Sequence, residues 1–311
     1  MPELRKDYIL DRYVIIATER AKRPDQFRTE NKEDKPTTCF FCPGNENMTP
    51  PEIMRFPGVG DWQVRVFENK FAAVGQGERK DLATDNDFFT YADAVGRHEV
   101  VVETNDHART VWDLTIHEMR LVIDAYIQRI AEIEKLPGVR YVQIFKNHGK
   151  EAGTSIQHTH TQIIGYNLVP SVIEDEEKKC GDDCKYCRII EIEKGSDRRI
   201  YQNSTWASFA PYASRFPFEA WLFPKRHVRR LDELGSQEKD DLCDALLYIL
   251  RKLKELNSPY NYAIHYGIKN LHLHIEVMPR LATWAGFELG TGTIINSMPP
   301  EKAALFYRQA L

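Results

Sequence analysis

The chain has 311 residues, with 42 lysines and arginines against 46 aspartates and glutamates, so its formal charge is −4. A composition of 42% hydrophobic and 28% charged residues excludes a disordered chain. The acidic balance gives no support to a nucleic-acid partner, and the sequence shows neither an export signal nor an apolar run of membrane-spanning length. We therefore expect a cytoplasmic protein of about two domains.

The first chemically distinctive segments are a basic loop and a cysteine pair. The loop carries Arg20, Lys22 and Arg23, and it is followed by Cys39 and Cys42 with Cys-x-x-Cys spacing. Without an export signal, this spacing indicates metal ligands or redox groups rather than a structural disulfide. A thioredoxin-type site would lie between a hydrophobic strand and a helix, which this pair does not, so metal binding is favoured.

A strand–helix–strand–strand unit follows. The strand begins at His98 and leads to a turn that carries His107, after which Thr115 and Glu118 form a capping signature of a helix. The helix has one buried stripe, because its apolar residues follow i, i+3, i+4, i+7 spacing. These residues are Met119, Val122, Ile123, Tyr126, Ile127 and Ile130.

The strand after this helix ends in a polar, glycine-containing loop. Backbone amides in such a loop can hold phosphoryl oxygens, together with the side chains of Asn147, Thr154 and Ser155. The next strand reads QHTHTQIIG. Because side chains alternate along a strand, its three polar groups His158, His160 and Gln162 share one face, which indicates a site rather than a core.

The C-terminal half repeats this order. A strand from Phe218 aligns with the strand from His98, a helix starting near Ser236 carries its own apolar stripe, and two further strands follow. The aligned chemical groups are Cys39/Cys42 with Cys184/Cys187, His107 with His227, and His158/His160/Gln162 with His272/His274/Glu276. We therefore predict a duplication, with a catalytic half at 1–172 and a second half at 173–311.

Each half offers the four ligands of a tetrahedral zinc site. The ligands are the cysteine pair, the turn histidine, and one histidine of the His-x-His pair. One histidine of the first pair is left over and becomes a candidate nucleophile. Cys180 could compete as a ligand in the second half. Cys243 lies on the predicted helix and is expected to be a residue of the hydrophobic core.

The His-x-His-x-Gln strand resembles the histidine-triad superfamily, and the duplication narrows the resemblance to the galactose-1-phosphate uridylyltransferase family, which includes ADP-glucose phosphorylases. It covers nearly the whole chain, through ATERAKRPDQF, CFFCPGNENMTPPE, VFENKFAA, HTHTQ, PFEAWLFPKRHVRRL, LHLHIEVMP and AGFELGTG. It implies an α+β fold of two histidine-triad-like half-domains, each an antiparallel sheet flanked by helices.

The resemblance also implies a ping-pong nucleotidyl transfer. His160 matches the nucleophile that attacks the α-phosphorus of a nucleotide sugar, and Gln162 would hold the phosphoryl group. A hexose 1-phosphate or inorganic phosphate would then accept the nucleotidyl group. The implied substrate contacts are Arg20, Arg23, Asn147 and Ser155 at phosphates, with Thr154 beside them, Asn69 on the nucleotide side and Glu288 at the hexose.

Zinc, with two ions per subunit, is the implied cofactor. His158 would complete the first site with Cys39, Cys42 and His107. For the second site the family offers two ligand sets: Glu176, His265, His272 and His274, or Cys184, Cys187, His227 and His272. The repeat favours the second set. The family's active site draws on both subunits of a homodimer, so a homodimer is implied as well.

Family frequency favours UDP-glucose:hexose-1-phosphate uridylyltransfer, with ADP-glucose phosphorylase as the alternative. Three features point toward the phosphorylase: Thr154 replaces a cysteine, Lys70 replaces an aspartate that often holds the ribose, and the chain has a second Cys-x-x-Cys pair. A third hypothesis, from another class, is a non-catalytic, zinc-stabilised nucleotide-binding module.

Overall fold

The computed structural model describes residues 2–6, 13–16 and 38–309, and of residues 4, 6 and 13–16 it describes the backbone only. The strands in this part of the chain are β1 (Glu3–Lys6), β2 (Tyr13–Ile16), β3 (Glu52–Phe56), β4 (Val64–Glu68), β5 (Ala83–Asp85), β6 (Phe89–Asp93), β7 (Gly96–Val102), β8 (Tyr141–His148), β9 (His160–Tyr166), β10 (Arg199–Gln202), β11 (Trp206–Phe209), β12 (Ala220–Pro224), β13 (Tyr260–His265) and β14 (His274–Pro279). The helices are α1 (Ile116–Ile133), α2 (Ser171–Cys180), α3 (Lys185–Glu193), α4 (Ser236–Glu255), α5 (Gly286–Thr291) and α6 (Pro300–Arg308).

The chain divides into two compact units. Unit 1 comprises Met1–Ala108, Ala125–Ile144 and His160–Val172, and unit 2 comprises Arg109–Asp124, Phe145–Thr159 and Ile173–Leu311. The last change of unit falls between residues 172 and 173, while two segments of the predicted first half are counted with unit 2. That the two halves are separate domains stays a prediction.

Unit 1 contains antiparallel strands in the order β3–β4–β7–β9, and a smaller antiparallel sheet in the order β2–β1–β6–β5. The pairing of β7 with β9 depends on Gly96, whose φ is +155°. A Cβ atom there would lie 1.9 Å from the carbonyl oxygen of Gly165 on the neighbouring strand. Only glycine fits, because any side chain would force the two strands apart.

One face of the β7–β9 pair is covered by the C-terminal half of α1. Glu99 on β7 is fully buried and accepts hydrogen bonds from Arg129 of α1 at 2.8 and 2.9 Å. Thr161 of β9 donates to the Glu103 carboxylate at 2.5 Å, and the Tyr126 hydroxyl donates to the Thr161 hydroxyl at 2.8 Å. These bonds satisfy buried polar groups and hold Thr161 toward α1. Because side chains alternate along a strand, His160 and Gln162 face away from α1.

Unit 2 contains antiparallel strands in the order β10–β11–β12–β14–β13. Helix α4 begins at Ser236, as the sequence predicted, and its apolar stripe is buried. The stripe consists of Leu242, Leu246, Ile249, Leu250 and Leu253. The stripe predicted for α1 is buried as well, except that Ile127 is half-buried.

The two halves share one topology. The first half runs β7–α1–β8–β9 and the second runs β12–α4–β13–β14. In each half the last strand lies between the two earlier strands in the sheet order. The predicted α+β fold with a duplicated antiparallel unit is therefore confirmed. Among the described residues, no helix is both long enough and apolar enough to cross a membrane.

The start of α1 has the predicted capping box. The Thr115 hydroxyl accepts the Glu118 N–H at 3.2 Å, and the Glu118 carboxylate accepts the Thr115 N–H at 2.7 Å. Arg109 donates to the same carboxylate at 2.6 and 2.8 Å and, with these bonds, lowers the pKa of Glu118 to about 2.

We expect Glu118→Gln to lower the free energy of unfolding by about 1 kcal/mol near neutral pH. Because the folded-state pKa of Glu118 is depressed, its contribution is present above the unfolded pKa of about 4.5 and is lost as the pH falls toward 2. Urea unfolding near pH 7 and near pH 4 should show the gap between wild type and variant shrinking. Exposed Glu174 provides the control, Glu174→Gln; an equal gap at both pH values would contradict the prediction.

Candidate active site and metal clusters

The predicted nucleophile, His160, is the first residue of β9 and lies opposite Val102 of β7. It is 8% exposed, and its ring packs edge-on to the ring of Phe41, with the centroids 5.3 Å apart. Phe41 lies inside the Cys-Phe-Phe-Cys loop formed by Cys39 and Cys42. The cysteine loop therefore supports one side of the histidine ring.

Gln162 lies two residues further along β9 and contacts two other side chains. Its Oε1 atom is 2.9 Å from Nε2 of His98 and 3.4 Å from Nδ2 of Asn69. The structure therefore brings together Gln162 and Asn69, both predicted site residues. Sequence reasoning missed His98, although a polar residue heading an apolar strand was a signal that could have identified it.

The first metal cluster gathers three predicted ligands in unit 1. Ligand atoms of Cys39, Cys42 and His107 lie within 4.8 Å of one another, and the Cys42 sulfur is 3.4 Å from Nδ1 of His107. Burial, followed by the neighbouring Cys39 thiol, raises the pKa of Cys42 to about 11. His158 is fully buried two residues before His160 but is counted with unit 2, so its role as fourth ligand stays a prediction.

The second cluster lies within unit 2 and contains the predicted set Cys184, Cys187, His227 and His272, with all ligand atoms within 4.8 Å of one another. The Cys187 sulfur is 3.5 Å from Nδ1 of both histidines. His272 turns its other nitrogen to the Pro224 carbonyl oxygen at 3.0 Å, and burial lowers its pKa to about 4. Neutral imidazole held by a carbonyl is the form that binds zinc.

The remaining cysteines differ in their surroundings. The Cys180 sulfur lies 3.3 Å from the Cys184 sulfur, so Cys180 borders the second cluster without belonging to its four-ligand group. Burial raises the pKa of Cys184 to about 12, so its thiol must release its proton to solvent when a metal binds. Cys243 is fully buried on α4, in the position predicted for a core residue.

The alternative ligand set for the second metal is divided in the structure. His272 lies with the cysteines, whereas Glu176, His265 and His274 form a third group with Glu276. Two partners occupy the carboxylates of this group: Nδ1 of His265 is 3.0 Å from Glu176, and an Arg215 guanidinium nitrogen is 2.7 Å from Glu276. A guanidinium at this distance opposes a bound cation, so the Cys2His2 cluster fits zinc better than this group does.

The predicted phosphate loop is tightly organised within unit 2. The Thr154 hydroxyl donates to the Asn147 carbonyl at 2.6 Å, and Asn261 donates to the Asn147 side-chain oxygen at 2.8 Å. Gly149 supports the turn with a φ of +86°, and Ser155 is exposed. Because its oxygen is held by Asn261, Asn147 directs its amide nitrogen the other way, as a hydrogen-bond donor.

Glu288, Arg20 and Arg23 are the remaining predicted substrate contacts. Glu288 is half-buried on α5, and its carboxylate accepts the Ala285 N–H at 3.0 Å. Hydrogen bonds from its own backbone N–H and from that of Ala285 lower the pKa of Glu288, which acts here as a helix cap. Arg20 and Arg23 lie outside the described residues. All three roles stay predictions.

We expect the wild-type chain to carry two equivalents of zinc and Cys187→Ala to lose one, because removing one thiolate opens the second cluster. Elemental analysis of the dialysed protein measures this, and thermal unfolding should show a lower midpoint for the variant. Buried Cys243 provides the matched control, because Cys243→Ala also removes a thiol but should retain both equivalents. Equal metal content in both variants would refute the assignment of Cys187.

Comparison with known proteins identifies the family. Residues 1–170 match the family model described as galactose-1-phosphate uridyl transferase, N-terminal domain. The chain is 33% identical to ADP-glucose phosphorylase from Arabidopsis thaliana over 99% of this chain and 93% of that protein. It is 28% identical to galactose-1-phosphate uridylyltransferase from Thermotoga maritima over 99% of this chain and 98% of the relative.

Solved structures agree. The crystal structure of the Arabidopsis thaliana ADP-glucose phosphorylase with bound ADP-glucose matches all of both chains with a TM-score of 0.79 and 31% identity. A structure of a uridylyltransferase matches 98% of this chain and 97% of its own, with a TM-score of 0.80 and 27% identity. The chain therefore belongs to the galactose-1-phosphate uridylyltransferase family of nucleotidyltransferases.

Proposed function

We propose that the chain transfers a nucleotidyl group from a nucleotide sugar to a second phosphate through a covalent bond to His160. The observation that carries this proposal is the placement of His160 and Gln162 together on the face of β9 that α1 does not cover. His160 packs against Phe41, and Gln162 is held by His98 and Asn69. A positioned imidazole beside an oriented amide suits attack on phosphorus with stabilisation of the phosphoryl oxygens.

The transfer takes two balanced steps. A nitrogen of His160 attacks the α-phosphorus, a P–N bond forms, and the bond to the bridging oxygen breaks with its electron pair leaving on the sugar 1-phosphate. An oxygen of the incoming phosphate then attacks the same phosphorus, and the P–N bond breaks with its electrons returning to the imidazole. Gln162 donates hydrogen bonds to the phosphoryl group and carries no proton in either step.

Donors for the phosphates belong to the same proposal. Asn147 presents its amide nitrogen because Asn261 holds its oxygen, and Ser155 is exposed at the end of the same loop. Thr154 supports this loop through its bond to the Asn147 carbonyl. We assign Arg20 and Arg23 to the phosphates and Glu288 to the hexose, on the family resemblance alone.

Zinc fits both cysteine clusters, because each combines two cysteine thiols with histidine imidazoles. In the proposal, Cys39, Cys42 and His107 hold the first ion with His158, and the second cluster holds the other. Bound zinc would supply structural cross-links, since four protein ligands leave no open position for chemistry. The first cross-link would also steady Phe41, and with it the ring of His160.

Two donor–acceptor pairs fit this chemistry. ADP-glucose with phosphate is favoured by the assembled second Cys2His2 cluster and by the 33% identity with the Arabidopsis phosphorylase. UDP-glucose with a hexose 1-phosphate, which family frequency ranks first, is supported by the family model and by the Thermotoga maritima uridylyltransferase. We rank the adenylyl pair first on the cluster and keep the uridylyl pair as the second candidate.

Trapping tests the covalent step. Incubation with ADP-glucose or UDP-glucose, each labelled in the α-phosphate, should label the wild type and leave His160→Ala unlabelled, because the variant has no nucleophile. His117, an exposed histidine on α1, provides the control, and His117→Ala should label like the wild type. Steady hydrolysis without an adduct would point to a histidine-triad hydrolase and would refute the transferase.

A two-by-two comparison selects the substrates. ADP-glucose and UDP-glucose are each tested with phosphate and with galactose 1-phosphate as acceptor. We expect kcat/KM to be highest for ADP-glucose with phosphate; a higher value for UDP-glucose with galactose 1-phosphate would assign the uridylyl reaction. Light scattering of the same preparation tests the homodimer that the family implies.

A further inference from the structure

His98 is a buried histidine that neither the motifs nor the transfer steps use. It is 2% exposed and lies on β7, where it pairs with Ile164 of β9. In the same register Val100 pairs with Gln162 and Val102 with His160. Cross-strand partners share a face, so His98 lies on the face that carries His160 and Gln162.

The hydrogen bonds around His98 determine which nitrogen carries its proton. The backbone N–H of Ala73 donates to Nδ1 at 3.1 Å, and a backbone N–H cannot act as an acceptor. The neutral ring therefore carries its proton on Nε2, which lies 2.9 Å from Oε1 of Gln162. His98 consequently donates to the side-chain oxygen of Gln162.

Asn69 is oriented in the same way. The backbone N–H of Phe71 donates to Oδ1 of Asn69 at 2.9 Å, which turns the amide nitrogen of Asn69 toward Gln162, 3.4 Å from Oε1. That nitrogen also lies 3.2 Å from Nε2 of His98, but both atoms are donors, so each points at Oε1 rather than at the other. Two backbone N–H groups thus fix which end of the Gln162 amide faces inward.

We propose that His98 is a positioning residue that holds the Gln162 amide with its oxygen inward and its NH2 group toward the reacting phosphate. The inference rests on the proposed function, in which Gln162 donates to the phosphoryl group. A reversed amide would present its oxygen to an anionic phosphoryl oxygen, and the two would repel. Holding one orientation before substrate arrives avoids this repulsion during transfer.

The second half of the chain provides independent support. In the second half Glu276 pairs with Trp221, as Gln162 pairs with Val100 in the first, so Glu219 takes the strand position of His98 and Glu276 that of Gln162. Where the strand carries a carboxylate, which has no orientation to choose, the histidine is absent. Glu276 instead receives a hydrogen bond from Arg215 at 2.7 Å. The histidine and the amide therefore occur together and are lost together.

Kinetics of three variants test the role. His98→Phe keeps a ring but removes the donor, and we expect kcat to fall about 10- to 100-fold with KM changed less than about threefold. His98→Gln places an amide N–H near the former Nε2 and should recover most of the loss. His117→Phe is the matched control on the surface. A His98→Phe variant within twofold of wild-type kcat would overturn the proposal.

A double variant separates positioning from general support of the fold. In a Gln162→Ala background His98→Phe should cause no further loss, because the group it orients is already gone. An equal loss in both backgrounds would refute the inference while leaving the transferase intact. A wild-type enzyme inactive with every substrate pair would refute the proposed function itself.

Nitrogen-15 NMR of the wild-type protein gives a readout that requires neither activity nor a folded variant. The His98 signal should show a neutral ring protonated at Nε2. A ring protonated at Nδ1 would overturn the inference whatever the kinetics show.

Discussion

The site depends on the two-residue period of β9. Each side chain of this strand points to one of the two faces of the sheet, and the side chains on the face under α1 are buried. Thr161 bonds there to Glu103 and Tyr126, while Glu99 of the neighbouring strand is paired with Arg129. A slip of one residue would bury Gln162 against these groups and turn Thr161 to the opposite face. The buried polar bonds therefore set the register that places His160 and Gln162 on the face opposite α1.

The features that could be predicted from the sequence are those that depend on residues close together in the chain. Cys-x-x-Cys spacing, the capping box at Thr115 and Glu118, and the apolar stripe of α4 each depend on residues close in sequence. The second cluster could not be predicted from local spacing, because Cys187 and His272 are far apart in sequence. The internal repeat predicted that they lie together, because it aligns them with Cys42 and His158 of the first half. Because the halves are duplicated, aligned residues are expected to form equivalent contacts in each half.

The contacts that were not predicted are between residues on different strands or loops, which local sequence patterns do not reveal. His98 and Gln162 are 64 residues apart, and their contact follows from the register of β7 on β9. Arg215 and Glu276 are 61 residues apart and meet through the loop before β12. For Glu288 the family resemblance predicts a hexose contact, and the structure shows that its carboxylate caps α5. Side-chain orientation, rather than element type, was the information missing from the sequence.

The contacts around Glu276 limit which substitutions the second half can tolerate. Arg215 bonds to both Glu219 and Glu276, His265 faces Glu176, and Nε2 of His274 is buried without a hydrogen-bond partner among the described residues. Replacing Glu276 alone would leave half-buried Arg215 and buried His265 with one carboxylate fewer, which is destabilising. Reproducing the His-x-His-x-Gln pattern of β9 on β14 would therefore need more than the single substitution Glu276→Gln.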